Sequence, residues 1–323
     1  MNGKIIVCLL TAALLSAVPF VEAQQPKKVP RIGWLTLGYP ARSEAFRQGL
    51  RELGYVEGKN IAIELRSAER ELDRLPSLAA ELVGLKVDLI VALEPPAVRA
   101  AMDATKTIPI VIRAGDDPVE AGFVASLARP GGNVTGLTSI SGELYGKRLG
   151  LLKETVRGLS RVAVLWNPGF QYSMQNFGEI KVEAKELGIQ LVSSEARRME
   201  EFDSAFRAAL MGRAQALITL RNPLIVNQRQ RIAELAAKNR LPAIYDDREF
   251  VELGGLMSYG TNLADLYWRA ATYVDKILKG RKPADLPVER PMKFELFINL
   301  KTAKQIGLTI QPEVLFRADK VIQ

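Results

Sequence analysis

Short apolar runs recur along this chain, each followed by a stretch with helical spacing, and that alternation constrains the fold more than any other feature. Residues 29–37, 87–93 and 108–112 are rich in Val, Ile and Leu and lack the strict polar alternation of a half-exposed strand. Such runs mark parallel strands covered on both faces. Between them, Ala45, Phe46, Gly49, Leu50 and Leu53 form one helical stripe, stopped at Gly54. Leu72, Leu75, Leu78, Ala79, Leu82 and Val83 form a second. Residues 60–65 alternate as a strand does, and residues 95–104 open on prolines suited to the first turn of a helix. Strand, helix, strand at this spacing predicts a doubly wound α/β sheet.

The pattern restarts at residue 161. Strands are expected at 161–166, 189–193, 214–220, 241–245 and 255–259, and helices at 173–187, 200–211 and 226–239. The end is out of phase, with a long helix at 263–278, a strand at 294–299 and a short helix at 301–306. Two halves with one order of elements predict two similar Rossmann-like lobes with parallel sheets. Stretches rich in Gly, Pro, Ser and Asn at 128–133, 138–142, 260–262 and 279–283 are the candidate connections. Several crossings would make a multi-strand hinge rather than a single tether.

Residues 1–23 read as a secretory signal peptide. Lys4 precedes an apolar run at 5–18, and Val21-Glu22-Ala23 forms a small-residue cleavage site before Gln24. The run is shorter than the ~20 residues a membrane span needs. The single cysteine, Cys8, lies inside it, so the exported protein is expected to carry no thiol and no disulfide. Lys and Arg total 44 against 36 Asp and Glu, a net charge of +8. The charges are scattered at helical spacing, as in Glu44, Gln48, Arg51 and Glu52, which marks solvated helix faces rather than a nucleic-acid surface.

The chain has no histidine, which removes histidine triads, imidazole metal sites and a histidine pH switch. It also lacks a Gly-x-x-x-x-Gly-Lys phosphate loop, a Gly-x-Gly-x-x-Gly fingerprint and a Gly-x-Ser-x-Gly elbow. No catalysis, cofactor or metal is expected.

In open α/β sheets ligands sit beyond the carboxyl ends of the strands. Those loops carry Tyr39, Glu94, Pro95, Arg113 and Asp116 in the first half. In the second they carry Asn167, Tyr172, Arg221, Asn222, Tyr245, Asp246 and Tyr259. Tyrosine offers a stacking face and a hydroxyl, arginine grips a carboxylate with two hydrogen bonds, and an acid takes an ammonium. The set suits a small zwitterion or organic acid with an apolar or aromatic body. Structural roles compete for the same residues. Arg113 could pair with Asp116 or Asp117, Tyr245 could be strand packing, and Asn167 and Asn222 could be helix caps. Asp117-Pro118 suits the cap and first turn of a helix.

Longer motifs carry a resemblance. They include Gly49-Leu50-Arg51-Glu52-Leu53-Gly54-Tyr55-Val56-Glu57-Gly58, Val164-Leu165-Trp166-Asn167-Pro168 and Gly254-Gly255-Leu256-Met257-Ser258-Tyr259-Gly260. The most distinctive is Ser126-Leu127-Ala128-Arg129-Pro130-Gly131-Gly132-Asn133-Val134-Thr135-Gly136-Leu137-Thr138. With these the chain resembles the ABC-transporter substrate-binding family of the tryptophan/tyrosine type over nearly its whole mature length. The resemblance implies a type I periplasmic binding fold, in which two lobes close on a solute by hinge bending. It implies a small-molecule ligand, a permease as partner and a monomer. It also implies that the helix at 263–278 returns to the first lobe and the strand at 294–299 to the second. The expected lobes are then 30–138 plus 262–285 and 139–261 plus 286–323. An exported sensory binding protein, or a histidine-free enzyme using carboxylates, are the alternative readings of such a scaffold.

Two departures from that family matter. Its members usually carry Gly-Thr where this chain has Glu94-Pro95, and there a threonine hydroxyl and free amides at a helix start can hold an anion. Pro95 and Pro96 have no N–H, and Glu94 adds negative charge. Arg113 stands where a small or apolar residue is usual, and Asn222 where an Asp is common. The expectation is that a carboxylate grip has moved to Arg113 or Arg221 and that Glu94 meets a positive group or a hydroxyl.

Overall fold

One parallel and one mostly parallel sheet, each covered by helices on both faces, make up the computed structural model, which describes residues 29–38, 43–115, 117–139 and 144–323. The leader at 1–23, Tyr39 and Asp116 lie outside the described residues. In chain order the first lobe contains β1 (Arg31–Thr36), α1 (Ser43–Glu52), β2 (Ala62–Ser67), α2 (Leu75–Gly84), β3 (Leu89–Ala92), α3 (Pro95–Ala104), β4 (Ile110–Ala114) and β5 (Val134–Thr138). Its five strands are all parallel, in the order β2-β1-β3-β4-β5. The order reverses between β1 and β3, which opens a crevice at their carboxyl ends.

The second lobe begins with α4 (Tyr145–Thr155), β6 (Arg161–Trp166), α5 (Gln171–Glu186), β7 (Gln190–Glu195), α6 (Phe202–Met211) and β8 (Ala216–Thr219). It continues with α7 (Pro223–Asn227), α8 (Arg229–Lys238), β9 (Ala243–Tyr245), α9 (Arg248–Glu252) and β10 (Met257–Thr261). After β10 come α10 (Leu263–Leu278), β11 (Phe294–Asn299), α11 (Leu300–Ile306), α12 (Pro312–Phe316) and β12 (Lys320–Ile322). The seven strands run β12-β11-β10-β9-β8-β6-β7, with the reversal between β6 and β8. β10 and β11 pair antiparallel, so this sheet is mixed where a parallel one was expected.

The apolar runs do what their patterning requires. Ile90 and Ile112 pack on the face covered by α2 and α3. Ile32, Trp34, Leu89 and Val111 pack on the opposite face, which α1 and α10 cover. Trp34 meets Phe46 edge to face at 4.9 Å. Burying one such side chain contributes about 2–3 kcal/mol. α10 is therefore the returning helix, and it lies so close to α1 that a Cβ on Gly49 would stand 2.6 Å from the Trp268 carbonyl oxygen. In the second lobe α4, α5, α11 and α12 cover one face and α6, α7, α8 and α9 the other.

Three crossings join the lobes, after β5, after β10 and before β11. Leu286 and Val288 are buried in the first lobe's core, and Glu289 pairs with Leu137 of β5. The chain thus leaves the first sheet after Glu289 rather than at residue 286. The crossings are tied together. Thr261 Oγ1 donates to the Ser139 carbonyl at 2.7 Å, Asn262 N donates to the Lys293 carbonyl at 3.0 Å, and Asn262 Nδ2 donates to Glu295 Oε1 at 2.7 Å.

Several local expectations change. The helix expected at 226–239 is two helices that meet at Gln228. Asp117-Pro118 starts no helix. Asp117 Oδ1 accepts from the Val119 and Glu120 amides, and the chain then turns back.

Candidate functional site

The carboxyl ends of both sheets face one cleft. The chain crosses between lobes directly from the carboxyl ends of β5 and β10. Gln175, near the start of α5, donates to Glu120 in the loop after β4, a side-chain contact from lobe to lobe. Residues in the loops after β1, β3, β6, β8, β9 and β10 therefore border the cleft.

In the first lobe, Glu94 lies just past β3 and precedes α3. Its side chain does not cap that helix. It reaches across the β1/β3 crevice instead, where Oε2 accepts from the Leu37 amide at 3.3 Å and Oε1 lies 3.2 Å from Thr36 Oγ1. Burial pushes its carboxyl above the usual range, while the Arg113 guanidinium, the Leu37 amide and the Thr36 hydroxyl pull it back. Arg113, at the end of β4, is 8% exposed. Its guanidinium draws the Glu94 carboxyl down, and the Asp117 carboxylate holds the turn that follows. Pro95 and Pro96 occupy the first two positions of α3 and supply no amide hydrogen.

The second lobe has a chain of charges. Arg221, directly after β8, donates to Asp246 Oδ2 at 2.6 Å and lies 3.6 Å from Asp247. Arg229 bridges Asp247 at 3.7 Å and Glu249 at 3.3 Å. Burial lowers the Arg229 pKa, and Asp247 and Glu249 oppose that shift. The Arg221 side chain is 28% exposed, whereas Asp246 and Asp247 are each 2% exposed. Asp246 Oδ1 has no hydrogen-bond partner and belongs to a residue lining a cavity of about 10 Å³, together with Ser258, Thr261 and Glu295. That volume holds about one water. Gly260 makes this corner possible, because a Cβ there would stand 1.9 Å from the Asp246 carbonyl oxygen.

Other expected site residues fall to structural roles. Asn222 is buried and caps α7: Oδ1 accepts from the Ile225 amide at 3.0 Å, and Nδ2 donates to the Leu220 carbonyl at 3.2 Å. Asn167 shapes its own loop by accepting from the Gly169 amide at 2.8 Å, and the cap position of α5 is Phe170. Tyr245 is fully buried and stacks on Phe250 at 4.3 Å, so its ring belongs to the core, and burial raises its hydroxyl pKa. Tyr259 stacks on Phe294 at 6.2 Å, and its carbonyl accepts from Arg148 at 2.7 Å. Tyr172 stays at the cleft rim, 40% exposed, with its ring 5.7 Å from that of Phe170. Sequence reasoning missed Phe170, Asp247 and Glu295. The Asp246-Asp247 pair was visible in the sequence; the approach of β11, which brings Glu295 beside it, was not.

Two lobes meeting at the carboxyl ends of their sheets define a hinged solute-binding fold. The profile of the ABC transporter substrate binding protein family matches residues 38–322, and the chain belongs to that family. It is 30% identical over 265 residues to a tyrosine-binding protein of Clostridioides difficile, covering 82% of this chain and 76% of that protein. The crystal structure of a conserved domain protein from Vibrio cholerae matches with TM-score 0.82 at 30% identity, over 91% of this chain and all of that one. An ABC domain from Streptococcus pneumonia in complex with L-Trp matches with TM-score 0.82 at 26% identity, over 91% of this chain and 99% of that one. The chain is a substrate-binding protein of an ABC transporter and not an enzyme. Its two-lobed α/β fold is that of type I periplasmic binding proteins. No helix among the described residues is long and apolar enough to cross a membrane.

Proposed function

We propose that this protein is exported to the periplasm after cleavage behind Ala23 and there captures a small amino-acid-like or aromatic organic-acid solute. The solute sits between the lobes, which close on it by bending at the three crossings, and the closed monomer delivers it to a membrane permease. The observation that carries this reading is the charge at the two sheet reversals. The first lobe presents the acid Glu94 between β1 and β3, and the second presents the partly exposed base Arg221 beyond β8. Opposite charges on opposing lobes suit a solute with both a cationic and an anionic end, and Phe170 with Tyr172 supplies an aromatic wall. The C. difficile relative named for tyrosine supports the same class.

The test is a thermal-unfolding screen against amino acids, aromatic acids, dicarboxylates, nucleosides and sugars. A ligand at 100 times its Kd stabilises the folded state by about 2.7 kcal/mol, a shift of several degrees. A shift confined to amino acids or aromatic acids, with the compound recovered unchanged, is expected. A shift with sugars or nucleosides alone, or consumption of the compound, overturns the reading.

A further inference from the structure

The crevice between β1 and β3 is where an open α/β sheet ordinarily receives the anionic end of a ligand, using amides at the start of the following helix. In this chain several components of such a site have been replaced or occupied. The first two positions of α3 are Pro95 and Pro96, which have no N–H to donate. The Leu37 amide at the end of β1 already donates to Glu94 Oε2. The Thr36 hydroxyl has a single hydrogen, and its shorter contact is to the Gly38 carbonyl, at 2.7 Å against 3.2 Å to Glu94. The crevice therefore contains a resident carboxylate, which takes up the strand-end amide.

Among the described residues that carboxylate has few hydrogen-bond donors. An ionised carboxylate has about four acceptor sites. The Leu37 amide donates to Glu94 at 3.3 Å, and Thr36 Oγ1 stands 3.2 Å away with its one hydrogen closer to the Gly38 carbonyl; both distances exceed the 2.7–2.9 Å of strong charge-assisted hydrogen bonds. Arg113 offsets its charge from behind, within β4. The remaining acceptor capacity suits a charged donor arriving from the cleft.

We infer that Glu94 anchors the ammonium group of the solute on the first lobe, so that the solute lies with its amino end toward β1 and β3. This assignment rests on the amino-acid-like reading above and fixes the orientation of the solute within it. A solute with a carboxylate in that position would meet Glu94 as a like charge, so discrimination comes from repulsion as much as from attraction.

The test uses three triplets of probes: L-tyrosine, tyramine and 3-(4-hydroxyphenyl)propionate, and the corresponding tryptophan and leucine sets. Each triplet holds the body constant and removes either the carboxylate or the ammonium. Calorimetric affinities are measured for the parent, Glu94→Gln and Glu94→Thr, with thermal unfolding as the check that each variant is folded. In the parent, members with an ammonium bind at least tenfold tighter than the member without one. Both variants lower that ratio at least tenfold, and Glu94→Thr, which frees the Leu37 amide, tightens the ammonium-free acid outright.

A ratio that stays within twofold of the parent in both variants overturns the assignment, even if all affinities fall together, because a merely structural role lowers every member alike. Asp246→Asn separates the other carboxylate near the cleft: if it collapses the ratio and the Glu94 variants do not, the ammonium belongs to the second lobe. Silence from all triplets in a protein that responds to another solute class removes the amino-acid-like reading and this assignment together.

Discussion

The two lobes share one architecture but treat charge at their cleft edges in opposite ways. The first places a single acid at its sheet reversal, backed by one buried arginine and held by a main-chain amide. The second distributes two arginines and three acids over the segments after β8 and β9, with Arg221 and Glu249, each 28% exposed, at its ends. A lone carboxylate in a crevice can relieve its burial by taking a proton or a cation. A network cannot lose one member without stranding another, so its charges are fixed for structural reasons. The first edge is thus the adaptable one, where specificity can change with one residue, and the second is the rigid one.

The largest expected effect tests that rigidity. Arg221→Ala leaves the buried Asp246 carboxylate without its 2.6 Å partner and should cost about 3 kcal/mol in urea unfolding. A loss below about 1 kcal/mol would mean that Arg229 compensates and that the second edge is as adaptable as the first. Next comes Gly260→Ala. Its Cβ would collide with the Asp246 carbonyl, which is backbone and cannot swing away, for an expected loss of about 2 kcal/mol by the same measurement.

Asn222→Ala is expected to cost about 1 kcal/mol through the lost helix cap, with solute affinity unchanged by calorimetry. An affinity loss larger than tenfold would return Asn222 to the binding surface. The smallest effect is a matter of sign, because Arg113 and the contacts from Leu37 and Thr36 oppose the burial of Glu94. The folded-state pKa of Glu94 is raised above its ordinary value of 4.5, so its contribution is most favourable below that value and is lost as pH rises through the raised one. Parent stability relative to Glu94→Gln should therefore fall from pH 4 upward, followed by urea midpoints. A parent that gains on the variant over that range would mean that Arg113 outweighs burial.

The alternation of strands and helices was legible because strands buried on both faces leave unbroken apolar runs, and β1, β3 and β4 lie where those runs predicted them. α4 was not. Its buried face includes Arg148, Tyr145 and Thr155, so a polar pattern hides a core helix. α9 and β12 were too short to carry a period. At the cleft, residue types were readable but their partners were not. Arg221 and Asp246 come from different strands, 25 residues apart, and only the adjacency of β8 and β9 joins them. Glu94 was singled out because it follows an apolar strand and stands where the resembling family usually has glycine, a local signal. That its side chain turns from its own helix to the end of β1 is a tertiary fact. Tyr245 stood at a strand end, and its neighbour Phe250 took the ring into the core.

The return of α10 to the first lobe sets a timetable for assembly. A ribosome that has delivered the first 262 residues has produced the complete parallel sheet of β1 to β5, yet Ile32, Trp34, Leu89 and Val111 lack the helix surface of Leu266, Ala270 and Val274 that packs with them. At the same moment β10 has no antiparallel neighbour, because β11 is still to come. Neither half is finished when its own stretch of sequence is finished. The amino-terminal half of the molecule waits on the carboxyl-terminal segment, and a chain cut at the second crossing would leave both halves incomplete rather than one intact.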